Sequence, residues 1–309
     1  MITSLFRKST PVNYLLVTLM VVMAYVLFLV DKPYVTGFMP VLGQQLVLLL
    51  ILLATLFISN FISTKNGLSK QAAYTLLFSG LWLMCFPGLF LRPNLIFANF
   101  FILLAIRRLV SLHSPKSTKQ KIFDASLWIG VATLYHFWSV LFIALVFVSI
   151  FFHVSRDYRN WLLPFVAFFT IGTLFFAYDF WREADLLQHL INQSTVDMSL
   201  GYFADTNQNA VFATYSVMVL FYLVSFGVSL PGRPQQYQSS YKKVVTAFFI
   251  GVAIFVISPY KTNELLVYTF APMAIMASSD VEFARSQFRR EFTVALTIVA
   301  AFVLYVIQL

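Results

Sequence analysis

Nine stretches of this chain are each apolar for about 17 to 20 residues, the length that carries an α-helix across roughly 30 Å of hydrocarbon. They are 13–30, 44–62, 73–91, 94–111, 162–181, 210–229, 244–260, 264–279 and 292–308. No soluble architecture buries so many. Hydrophobic residues make up 60% of the 309 and charged residues 11%, against about half and a quarter in a soluble domain. The expected fold is all-α: a polytopic transmembrane helix bundle in which residues 1–309 form a single transmembrane domain. The surplus of Lys and Arg, net +9, reads as the charge that sets topology, so nucleic acid is not an expected partner and membrane lipids are. The opening MITSLFRKSTP places Arg7 and Lys8 before the first apolar run without a small-residue cleavage site, which predicts an uncleaved first helix.

Residues 126–154 pose the topological question. As one helix they would measure about 43 Å, long for a bilayer; as two, each leg is short. Charge separates the alternatives. If 126–154 is a helix hairpin with its tip near Tyr135–Trp138, and the N-terminus is cytoplasmic, all of the 21 Lys and Arg except Lys32, Arg92, Arg182 and Lys261 fall inside. A single span would divide them 11 to 10. The positive-inside rule selects the hairpin, giving about 11 membrane segments and a periplasmic C-terminus. A hairpin tip in lipid must be covered by protein or face water. The tip carries Tyr135 and His136, so it borders an outward-facing cavity or belongs to an interfacial aromatic belt.

The outer side then gathers Asp31, Asp179, Glu183, Asp185, Asp197, Asp205 and Glu264. In READLLQHLINQ, Leu186, Leu187, Leu190 and Ile191 recur at helical spacing, which predicts an amphipathic helix on the membrane surface or a short connecting helix capping the bundle. Asp31, Arg92, Asp179, Arg182, Lys261 and Glu264 all stand at span ends. Such charges are interfacial anchors, or, when partly desolvated, a general base (the carboxylates) and a phosphate clamp (Arg and Lys). The sequence has no H-E-x-x-H, phosphate-loop or G-x-S-x-G pattern, the four histidines are scattered, and Cys85 stands alone. No metal or other cofactor is expected. Few ionisable residues fall within spans and no internal repeat is visible, which argues against an ion-coupled carrier.

The order of features carries a resemblance. An external Asp follows the first helix; LRPNLIFANFFILLAIRRL is a turn and a span ending in basic residues; a short helix pair, a returning span and an external amphipathic segment follow; SPYKTNELLVYTFAPMAIMASS comes late. Across about residues 13–280 this layout resembles the membrane half of GT-C glycosyltransferases, which take sugars from polyprenyl-phosphate carriers at the non-cytoplasmic face. The chain is also similar to an uncharacterised integral-membrane family of Bacteroidota, in MITSLFRKSTPVNY and LRPNLIFANFFILLAIRRL. The first resemblance implies a bacterial inner-membrane protein of cell-envelope glycan or glycolipid assembly that uses a polyprenyl-phosphate-linked sugar. Asp31 would be the catalytic carboxylate, deprotonating an acceptor hydroxyl. Arg92, Arg182 and Lys261 would bind the carrier phosphate, His136 would border the pocket, and Asp179 and Glu264 would complete it. Here Asp31 is followed by Lys32 and Pro33, where the family offers paired acidic residues or an aromatic context. The alternative is a non-catalytic subunit that holds membrane protein partners in an envelope complex.

Overall fold

The computed structural model describes residues 2–31, 38–70, 72–114, 116–182, 186–199, 206–259, 261–284 and 286–309. Among these residues the chain is helical, with no strand. In order it forms α1 (Ile2–Phe6), α2 (Pro11–Asp31), α3 (Phe38–Lys65), α4 (Tyr74–Cys85), α5 (Pro93–Val110), α6 (Thr118–Tyr135) and α7 (Ile143–His153). There follow α8 (Tyr158–Arg182), α9 (Leu186–Gln193), α10 (Thr206–Ser229), α11 (Gln235–Ile257), α12 (Val267–Phe283) and α13 (Gln287–Gln308). Seven of them, α2, α3, α5, α8, α10, α11 and α13, are long and apolar enough to cross a membrane. The protein is thus a multi-pass helical membrane protein, because in lipid the helix satisfies its backbone polar groups within its own segment.

The core is built on α4 and α12. Every residue of α4 from Tyr74 to Cys85 is buried, as is α12 from Val267 to Val281. Lipid is as apolar as leucine, so such burial is driven by packing and interhelical hydrogen bonds and not by escape from water. Close packing is visible where glycines face neighbouring helices. A Cβ on Gly80 of α4 would lie 2.9 Å from Val17 Cγ1, and one on Gly251 of α11 would lie 2.9 Å from Thr269 Cγ2 and 3.1 Å from the Tyr268 carbonyl carbon. Hydroxyls add a polar thread: Thr75 Oγ1 donates to Ser278 Oγ at 2.9 Å and lies 3.0 Å from Ser63 Oγ. Rings fill the rest, with Trp82 edge-on to Tyr215 and Phe86 stacked on Phe270.

Residues 118–153 turn back on themselves. The helix stops at His136, which takes an extended conformation (φ −145°, ψ 110°), and a 3-10 turn over Phe137–Phe142 leads into α7. Lys119 at the start of α6 forms a 3.1 Å ion pair with Asp157, just past the end of α7, so both legs return to one face. The hairpin is longer than the expected 126–154. Its first leg begins at Thr118, because the charge-bearing stretch TKQKIFD continues the helix and its Lys121 and Asp124 find partners there. Arg108 pairs with Asp124 at 3.0 Å, and Lys121 Nζ donates to the carbonyls of Ser111 and Ser114 at 2.9 and 3.0 Å. Half-length legs are therefore replaced by legs of 18 residues (α6) and, counting the turn, 17 (137–153).

Contacts between distant segments define two faces. On the basic face Tyr74 reaches the Thr3 carbonyl, Tyr241 the Leu68 carbonyl, and Ser69 the Glu282 carboxylate. There Lys243, fully buried on α11, donates to the carbonyls of Leu109 and Val110 at 2.7 and 3.3 Å. It thus caps the C-terminus of α5, where a cation also complements the helix dipole. On the opposite face Gln308 donates to the Cys85 carbonyl, and the hairpin tip meets α9.

Candidate functional site

The hairpin tip lies beside the N-terminus of α5, and this neighbourhood follows from local sequence. Pro87 and Pro93 bracket a 3-10 turn and set the start of α5 at the residue after Arg92. The Arg92 carbonyl accepts the backbone N–H of Leu95 and Ile96 at 3.1 and 3.2 Å. Its side chain is exposed at a helix end whose dipole also favours anions. Opposite, Tyr135 stacks on Phe97 and Phe101 of α5, with ring centroids 5.1 and 5.8 Å apart. That contact holds the tip of the hairpin against α5.

Between them opens a cavity of about 500 Å³, lined by Leu91, Arg92, Pro93, Asn94, Leu95, Tyr135, His136, Asn192, Gln193, Pro259, Thr262 and Leu265. His136 packs its ring against Tyr268 at 5.8 Å. Its Nδ1 is buried without a hydrogen-bond partner among the described residues. Gln193, the last residue of α9, accepts the Phe137 backbone N–H at 3.3 Å, so α9 roofs the tip. A second cavity of about 670 Å³ lies next to the first, lined by Gly43, Gln44, Gln45, Val47, Leu48, Phe90, Leu91, Pro93 and Phe97. Leu91 and Pro93, the neighbours of Arg92, belong to both walls. The second cavity is mostly apolar and has exposed Val47 and Leu91 at its edge.

Of the residues that the sequence singles out, Arg92 and His136 share the first cavity. Lys261 and Glu264 flank it. Lys261 Nζ donates to the Asp197 carbonyl, anchoring the segment after α9, and Glu264 sits against Gly88 of the turn before Arg92. Asp197 accepts the Ser199 backbone N–H at 2.7 Å and its hydroxyl at 3.1 Å. Those two bonds, with Lys261 nearby, hold its carboxyl below the ordinary aspartate range. Asp179 has a structural part: its Oδ1 accepts the backbone N–H of Leu186, the first residue of α9, at 2.9 Å. Arg182 is exposed at the end of α8, and Asp31 is exposed at the end of α2. Neither is among the residues lining the two cavities. Lys32, Pro33, Glu183, Asp185 and Asp205 lie outside the described residues.

Asn192, Gln193, Asn94 and Thr262 are site residues that sequence reasoning does not single out. The two on α9 carry a signal, because they fall on the polar side of the amphipathic pattern of Leu186, Leu187, Leu190 and Ile191. Asn94, in the first turn of α5, and Thr262, in the connection before α12, are ordinary polar residues that only the fold brings together. Among the described residues there is no cluster of His, Cys, Asp and Glu able to hold a metal ion. Comparison with known family models, with curated proteins and with solved structures found no match.

Proposed function

We propose that this chain is a GT-C-like protein of the bacterial inner membrane, acting in cell-envelope glycan or glycolipid assembly on a polyprenyl-phosphate-linked sugar at the periplasmic face. The observation that carries this reading is the pairing of two cavities around Arg92. The first is the more polar of the two and holds Arg92 and His136; the second is more strongly apolar and has exposed Val47 and Leu91 at its edge; Leu91 and Pro93 belong to both walls. A lipid-linked sugar phosphate has the same division into a polar head and an apolar tail. In this reading Arg92 and the start of α5 hold the phosphate, His136 and Gln193 border the sugar, and the tail runs along Val47 and Leu48 of α3. Asp31 is the candidate base for the acceptor hydroxyl.

The topology that accompanies this function has eleven membrane segments: α2, α3, α4 with its following turn, α5, α6, α7, α8, α10, α11, α12 and α13. The N-terminus is cytoplasmic and the C-terminus periplasmic, and the basic face points to the cytoplasm. A second reading, a non-catalytic subunit holding membrane partners, is favoured by α8. Its exposed side is a row of large rings, Phe165, Phe169, Phe176 and Phe180, a surface suited to another helix as well as to lipid.

The test is to compare envelope glycans in cells carrying the wild type, a deletion, Arg92→Ala and Asp31→Asn, with membrane levels of each protein checked. Loss of one glycan in the deletion and in both variants at normal protein levels supports the transferase. Full rescue by both variants rules it out and leaves the subunit reading.

A further inference from the structure

A third cavity lies on the basic face and plays no part in the site above. It occupies about 940 Å³ between α10, α12 and the start of α13. One wall is the exposed apolar side of α10, with Leu220, Val224 and Val228, and Phe283 closes it from α12. At its inner end stands Asp280, only 4% exposed. Its Oδ1 accepts from Ser225 Oγ and, at 2.9 Å, from Arg289 Nη2. Its Oδ2 is buried and has no hydrogen-bond partner among the described residues. A buried carboxylate oxygen without a donor is costly, so an arrangement that keeps one has a use for a donor from outside.

The other half of the cavity has the opposite preference. Arg289 is half exposed, and among the described residues only its Nη2 is engaged, by Asp280 and Ser225. It lies in the first turn of α13, a helix of 22 residues whose N-cap Ser286 makes no side-chain capping bond. Ser286 and Arg289 both line the cavity. Unsatisfied backbone N–H groups and a guanidinium edge together favour an anionic oxygen.

We propose that this groove binds a phospholipid whose headgroup carries a primary ammonium beside its phosphate, as in phosphatidylethanolamine. The ammonium donates to Asp280 Oδ2, the phosphate meets Arg289 and the start of α13, and an acyl chain lies along Leu220, Val224 and Val228. A choline headgroup has no N–H to give. A glycerol headgroup offers hydroxyls but no positive charge for the carboxylate.

The test uses the whole chain, delipidated in detergent and reconstituted in nanodiscs of mixed ethanolamine, choline and glycerol phospholipids. Retained lipid is counted by native mass spectrometry. The ethanolamine lipid is expected to be enriched about tenfold over choline, the ratio that one charge-assisted hydrogen bond supplies, and Asp280→Asn should abolish that preference. Val224→Trp fills the groove from the lipid side without touching the polar groups, and should lower retention of the ethanolamine lipid and with it the preference over choline; it decides the matter if Asp280→Asn fails to fold. Equal retention of ethanolamine and choline lipids, equal retention of ethanolamine and glycerol lipids, or an unchanged preference in either folded variant would overturn the proposal.

Discussion

Lys119 and Asp157 meet at 3.1 Å from the two ends of the helix hairpin. Because α6 and α7 begin and end on one face, their shared tip must lie toward the other, where Asn192 and Gln193 roof it. Single-cysteine labelling reads this directly, since the native Cys85 is buried. Cysteines at Asn192 and at Arg156 should react with an impermeant maleimide from opposite sides of the membrane, and on the topology proposed above Asn192 is the one reached from the periplasm. Labelling of both from the same side would contradict the fold.

Arg92 is exposed and lines the cavity it shares with His136, so removing it should leave stability alone and act on the proposed function. On the transferase reading proposed above, with purified protein and a polyprenyl-phosphate sugar, Arg92→Ala is expected to lower turnover roughly a hundredfold, as loss of a group that stabilises developing charge does. Its melting temperature should match the wild type. Unchanged turnover would remove Arg92 from the reaction.

Lys243 is a different case, buried and committed to the carbonyls of Leu109 and Val110. Lys243→Met keeps the length of the side chain but removes the buried ammonium donor from both carbonyls, leaving Val110 with His113 Nδ1 at 3.2 Å and Leu109 with the Ser111 N–H, at a cost of about 1 kcal/mol. Denaturant titration in detergent should show the loss while the protein still folds.

Gly251 faces the backbone of α12, and the Tyr268 carbonyl carbon, 3.1 Å from the point where a Cβ would stand, has little room to move. Gly251→Ala should therefore destabilise by about 1–3 kcal/mol, the usual effect of overpacking, whereas Gly172→Ala, with no atom within 4 Å of its Cβ position, should not. Similar melting of the two variants would argue against a tight α11–α12 contact.

Asp197 supplies a pH test. Its carboxyl is held below the ordinary aspartate range by Ser199, so these bonds are fully present above that range and are lost as pH falls through it and beyond. Hydrogen exchange at the Ser199 amide, corrected for its intrinsic rate, should stay slow at neutral pH and accelerate only in acid. In Asp197→Asn the acid dependence should vanish.

Hydropathy and charge make the membrane class and the turn-back at Tyr135–Trp138 legible, because span length and the distribution of Lys and Arg are one-dimensional properties. They cannot distinguish α4, buried at every residue, from α8, whose rings are largely exposed. Both are apolar runs, and whether such a face meets protein or lipid depends on neighbours far along the chain. The start of the hairpin is hidden for a related reason. Thr118–Asp124 is polar, and only its partners Arg108, Ser111 and Ser114 explain why it stays helical at the membrane edge. For the candidate site, Arg92 at a span end and His136 at the hairpin tip converge as their positions suggest. Asp179 instead serves α9, a role that depends on where α9 begins.

The complete burial of α4 also bears on how the chain is made. A helix of 12 residues rises about 18 Å, less than the hydrocarbon thickness, and its principal neighbour α12 is synthesised long after it. During translation α4 must therefore wait beside α2 and α3, or in the care of an insertase, until α12 emerges. A truncated chain ending before Val267 should then be a substrate for membrane quality control rather than a smaller stable bundle.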